Sequence, residues 1–117
     1  LQAYVKIYEI TKPATSVPGT VWDQPPTLSL SHNYPNPFNS STNIVYNLEN
    51  TGHVALKILN SLGQIVKTLV NHTQIPGQYV VQWDGTDNTG NRVPSGQYFI
   101  QLDEDNNIIV KRSLLLK

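Results

Sequence analysis

The sequence predicts an all-β chain, an antiparallel β-sandwich of about seven strands preceded by an extra N-terminal strand and a Pro-rich linker. Three observations predict it. Apolar residues alternate with polar ones at period 2 from about residue 44 almost to the end of the 117-residue chain. Turn signals recur between these runs at the spacing of sandwich folds. No window carries a helical apolar stripe, and the one rival, residues 55–70, is interrupted by Gly63 and rich in β-branched residues.

The elements follow in order. Residues 3–10, AYVKIYEI, read as a strand. Pro13, Pro18, Pro25, Pro26, Pro35 and Pro37 are six of the eight prolines, and each fixes φ and removes a ladder donor. Residues 11–27 therefore read as an extended linker. The division expected is 1–10 (a strand, either the end of a preceding domain or a donor strand), 11–27 (linker) and 28–117 (sandwich). Residues 28–30 form a short first strand. Ile44, Tyr46 and Leu48 share one face of the next, and Val54, Leu56 and Ile58 one face of the third. A turn at residues 61–64 leads into residues 65–70, completing a hairpin. Pro76-Gly77 breaks the chain before Tyr79, Val81 and Trp83. A polar loop, residues 84–96, precedes a strand with Tyr98, Ile100 and Leu102 on one face. Residues 103–107 read as a solvated polar turn and 108–116 as the last strand. A domain this small without disulfides depends on aromatic burial, which we assign to Trp83, Tyr79, Tyr98 and Phe99.

Composition excludes several functions. Lys plus Arg and Asp plus Glu both number 8, so the formal charge is zero. Nucleic-acid binding draws on a basic excess that is absent, and no apolar run approaches a membrane span. Charged residues make up only 14%, against about 25% in ordinary soluble domains. With no Cys there is no disulfide, Cys-ligated zinc or thiol nucleophile. With no Met the chain does not begin at a start codon, so a processed or excised chain is expected. His32, His53 and His72 lack metal-pair spacing, and no G-x-S-x-G elbow occurs. Neither a catalytic residue nor a cofactor is expected.

Some residues carry a weaker chemical signal. Asp84, Asp87 and Asn88 offer hard oxygen ligands of the type calcium takes, but the EF-hand spacing fails at Thr86, Gly90 and Ser95. An Asx-stabilised turn is the simpler reading. Trp22 and Tyr34 could stack on sugar rings, as in a glycan-binding module, or anchor the linker against the sandwich. Asn39 and Asn71 head acceptor sequons for glycosylation.

The order of motifs resembles a known family. Asn33-Tyr34-Pro35-Asn36-Pro37-Phe38-Asn39 is followed by Ser41-Thr42-Asn43-Ile44, Leu62-Gly63-Gln64, Gly77-Gln78-Tyr79 and Trp83-Asp84-Gly85 with Asp87 and Gly90. Then come Ser95-Gly96 with Tyr98-Phe99 and a terminal Leu114-Leu115-Leu116-Lys117. From about residue 28 to 117 this resembles the type A C-terminal sorting domain of the type IX secretion system, and is similar to the immunoglobulin-like domain of flagellar hook-capping proteins. The resemblance implies an immunoglobulin-like sandwich and a non-catalytic sorting and surface-attachment role. It implies recognition by the outer-membrane secretion machinery and a secreted, extracellular or cell-surface location in a Gram-negative bacterium. Its sorting motif would comprise residues 33–39 with Lys111, Leu114, Leu115, Leu116 and Lys117.

Such a domain ordinarily trails a large cargo, whereas 27 residues precede this one. In the alternative reading, Tyr4, Val5, Ile7, Tyr8 and Ile10 belong to a donor strand that pairs with a neighbouring copy. The 17-residue linker, at about 3.1 Å per residue, could reach about 50 Å. Head-to-tail strand addition would build an extracellular filament or surface assembly.

Overall fold

The computed structural model describes residues 28–105 and 107–117. The strand expected at residues 3–10, its donor residues and the linker of residues 11–27 lie outside the described residues. Seven strands form two antiparallel sheets: β1 (Ser29–Leu30), β2 (Thr42–Leu48), β3 (Gly52–Leu59), β4 (Ile65–Gln74), β5 (Gly77–Trp83), β6 (Gly96–Glu104) and β7 (Asn107–Leu115). One sheet has the order β1-β2-β5 and the other β4-β3-β6-β7.

The alternation places the core. Ile44, Tyr46 and Leu48 from β2 meet Val54, Leu56 and Ile58 from β3 and Tyr98, Ile100 and Leu102 from β6 in one buried cluster. Trp83 lies at its centre, with Phe38 and Tyr98 each 5.3 Å away between ring centroids. Tyr46 stacks on Tyr79 at the same separation. Tilted and offset rings at this distance gain about 0.5–1.5 kcal/mol beyond area burial.

The β3–β4 turn forms as expected. Asn60 Oδ1 accepts the backbone N–H of Leu62 and of Gln64, and Gly63 supplies the positive φ of 86°. β4 then runs to Gln74, four residues past the expected end, with register shifts against β3 after Leu56 and after Ile58. Its outer half is polar, so hydrophobic alternation does not reveal it.

Three expectations need correction. Phe99 is not a core residue: it lies on the outer face of its sheet, cross-strand from Leu59 and Arg112, and is half-buried. Phe38 and Tyr46 take the place assigned to it. Asp103 and Glu104 are strand residues, and Glu104 is only 7% exposed, so the acidic run is not a solvated tip. A Cβ at Gly52 would lie 2.6 Å from Glu104 Oε2, so only glycine there leaves this side chain its present place. Tyr34 is 77% exposed, so its ring does not supply the buried anchor expected of it.

Candidate functional site

Residues 33–39 and the end of β7, 72 or more residues apart in sequence, form a single structure. The backbone N–H of Phe38 donates to Leu114 O and that of Leu116 donates to Phe38 O, both at 2.9 Å. This makes a parallel bridge between Phe38 and Leu115. Asn36 adds two bonds: its Oδ1 accepts the Leu114 N–H at 3.0 Å and its Nδ2 donates to Arg112 O at 3.3 Å. Tyr34 pairs with Asn43 through two backbone bonds, tying the segment to β2 as well. The peptide bonds Tyr34-Pro35 and Asn36-Pro37 are both cis.

Below this clamp lies a buried polar knot. Asn33 Nδ2 donates to Thr42 Oγ1 at 2.9 Å and to Ser113 Oγ at 2.8 Å. Thr42 Oγ1 in turn donates to Pro35 O at 2.8 Å. Asn33, Thr42 and Ser113 are all buried, and Asn33 Oδ1 has no hydrogen-bond partner among the described residues. Ser113 and Thr42 were not among the expected site residues. The available signal was parity, since both fall at inward positions of apolar strands.

The expected sorting residues thus divide by environment. Asn33, Phe38 and Leu115 are interior. Pro35, Asn36, Pro37 and Asn39 are exposed, and Lys111 is half-buried. Leu114 and Leu116 are 37% and 49% exposed, and the Lys117 N–H donates to Ser95 Oγ at 3.0 Å. Only the exposed group can meet another molecule without unfolding the sandwich.

The loop after Trp83 is built from its own side chains. Asp84 Oδ1 accepts the N–H and hydroxyl of Thr86 at 3.2 and 2.6 Å. Asp87 Oδ1 accepts the N–H and hydroxyl of Thr89 at 2.9 and 2.6 Å, and the Asn91 N–H at 3.0 Å. Asn88 Oδ1 accepts the Thr68 N–H, and Trp83 Nε1 donates to Thr86 O. The Thr86 hydroxyl holds the Asp84 carboxyl below its ordinary value, and the Thr89 hydroxyl does the same for Asp87. These are consecutive Asx turns, in which the oxygens considered for calcium close the loop. No group of three or more His, Cys, Asp or Glu residues able to hold a metal occurs among the described residues.

Asn71 stands exposed on β4 and Asn39 exposed in the clamp segment. Trp22, Tyr4, Val5, Ile7, Tyr8 and Ile10 lie outside the described residues. No helix among the described residues is long and apolar enough to cross a membrane.

A two-sheet sandwich of this topology, closed by a hydrogen-bonded clamp between its first loop and its last strand, defines an immunoglobulin-like module. The chain belongs to the FlgD Ig-like domain family, whose profile matches residues 38–107. No curated protein sequence matches it. Among solved structures it is similar to dimeric latent PorU from Porphyromonas gingivalis, with TM-score 0.58 and 16% identity over 80% of this chain and 10% of that one. It is similar to FlgD from Xanthomonas campestris, a protein of flagellar hook capping, with TM-score 0.52 and 27% identity over 74% of this chain and 64% of that one. PorZ, a surface component of the type IX secretion system of P. gingivalis, gives TM-score 0.50 and 18% identity over 87% of this chain and 13% of that one. The chain spans a small part of PorU and PorZ and just under two thirds of FlgD.

Proposed function

We propose that the sandwich of residues 28–117 is a non-catalytic sorting and surface-attachment module, read by the outer-membrane machinery of type IX secretion in a Gram-negative bacterium. The observation that carries this reading is the clamp. The two parts of the expected sorting motif, residues 33–39 and 111–117, hydrogen-bond to each other and present Asn36, Leu114 and Leu116 on one exposed end. A receptor meeting that end reads a folded surface rather than a linear peptide, so recognition requires a closed sandwich. Similarity to PorU and PorZ supports the fold of such a module, and the motif order supports its role.

The test follows from the division by environment. Removing residues 111–117 would also remove buried Leu115 and unfold the domain. The informative variant is L116E/K117E, which alters exposed positions. Fused behind a reporter cargo in a type IX-competent host, it should accumulate in the periplasm while keeping the melting temperature of the parent. Normal export of the folded variant would overturn the proposal.

One observation favours the second reading, assembly by strand addition. Natural sheet edges are blunted by charges, prolines or bulges. β4 carries Lys67 and two register shifts, but β5, at the open edge of the smaller sheet, has no charge, no proline and an unbroken register with β2. Its Val80 is 64% exposed. β5 is the acceptor edge that a donor strand formed by residues 3–10 would use. V80K should abolish self-association seen by light scattering; unchanged association would remove this reading.

A further inference from the structure

A cleft of about 730 Å³ opens between the β3–β4 turn and the loop after Trp83. Buried Val93 and Tyr98 lie at its base, and Ile65 and Pro94 add exposed apolar surface beside them. Its polar lining is almost wholly neutral. It holds no Lys, Arg or His, and Asp87 is its one carboxylate.

The polar groups are held in place by bonds made behind them. Gln64 Oε1 accepts from Asn60 Nδ2 at 2.8 Å, and Asn88 Oδ1 accepts the Thr68 N–H at 3.1 Å. Each bond fixes an exposed amide by its oxygen, which leaves the Gln64 Nε2 and Asn88 Nδ2 hydrogens to meet a ligand. The three loop bonds to Asp87 all fall on Oδ1, so Oδ2 can accept another. Two fixed donors and a fixed acceptor therefore line one cleft. A hydroxyl that donates to Asp87 and accepts from Asn88 satisfies both neighbours at once. Because the side chains are already ordered, a ligand need not supply the entropy of ordering them.

Other ligand chemistries fit less well. An anion would find no cationic side chain in the lining. A metal would need more ligands than one carboxylate, and no group of three or more His, Cys, Asp or Glu able to hold one occurs among the described residues. An extended peptide needs an unpaired strand edge. Here the edge of β4 is capped by Asn88, whose N–H donates to Val66 O while its side chain takes the Thr68 N–H.

We propose that this cleft binds a neutral saccharide, with hydroxyls between Asp87 Oδ2 and the Asn88 and Gln64 amides and an apolar C–H face of the sugar ring on Ile65 and Pro94. The site uses no residue of the clamp and does not rest on the sorting reading.

The test titrates the 15N-labelled full chain with maltotriose, mannotriose and chitotriose, with an anionic hyaluronan tetrasaccharide and a Gly-Ser-Thr-Gly peptide as controls. At least one neutral trisaccharide should move the side-chain amide signals of Gln64 and Asn88 to saturation. Q64E/N88D keeps both inner acceptors and removes both donors. It should weaken this binding by about 10- to 30-fold, the range of two hydrogen bonds, at an unchanged melting temperature. Q97L alters an exposed residue of the wall and should weaken it by about 3- to 10-fold, which carries the test if the double variant unfolds. No shift with any of the three sugars would overturn the proposal, as would unchanged affinity in a folded variant. A preference for the anionic sugar or for the peptide would overturn it too, by assigning the cleft to another ligand class.

Discussion

Asn33 Nδ2 donates a 2.8 Å hydrogen bond to Ser113 Oγ across 80 residues of sequence. The same nitrogen reaches Thr42 Oγ1, so one amide joins the first loop to the start of β2 and the end of β7. Replacing it takes a partner from the buried Ser113 hydroxyl and leaves Thr42 Oγ1 with its bond to Pro35 O, and an unpaired buried polar group costs about 1–3 kcal/mol. N33A should lower the urea midpoint by the equivalent of about 2–3 kcal/mol with the denaturant slope unchanged. A loss below about 0.5 kcal/mol would mean that the knot is not formed in solution.

Phe38 is buried against Trp83 and bridges to Leu115. F38A removes a ring from the packed interior and should cost about 3–5 kcal/mol. Conservative F38L should recover much of this. Both variants keep the backbone groups of the bridge, so calorimetry on the pair reads the loss of side-chain volume.

The pH dependence has opposing parts. Burial pushes the Glu104 carboxyl up, helped by the nearby Asp105 charge, and burial also pushes Asp103 up against the pull of Lys57 and His53. The folded chain therefore binds these protons more tightly than the unfolded chain. Their penalty is absent below the unfolded pKa and grows as pH rises through the folded one. Asp84 and Asp87 act the other way, losing stabilisation as pH falls through their lowered folded values. E104Q isolates the first part: it should raise the melting temperature at about pH 7 and leave it unchanged at about pH 3.5. An equal effect at both pH values would assign the change to packing instead.

Asp87 closes the loop through three bonds to one oxygen. D87A should speed amide exchange at Thr89 and Asn91 and lower the melting temperature. Millimolar calcium added to the parent should leave both unchanged. A calcium-induced rise in melting temperature that D87A abolishes would restore the metal reading.

The sandwich was legible because alternation is a local signal. Each of β2, β3, β5 and β6 carries its inward residues at period 2, and the turn at Gly63 is marked by Asn60 and Gly63 alone. Phe99 was misassigned because it adjoins Tyr98 and both are aromatic; strand parity, not residue type, decides which one enters the core. Glu104 was misread because its burial depends on Gly52, a residue on another strand. Asn33 and Asn36 were legible as motif residues but not as structure, since their partners Ser113, Arg112 and Leu114 are adjacent only after folding.

The Phe38–Leu115 bridge is parallel, and this sets how the domain bears tension. Pulling on Leu28 and Lys117 draws the two bridged segments past each other along their length. The bonds from Phe38 to Leu114 and Leu116, and from Asn36 to Arg112 and Leu114, are then loaded together instead of peeling one by one. The sandwich is built as a shear joint, one that resists a load carried through the chain between its first strand and its last residue.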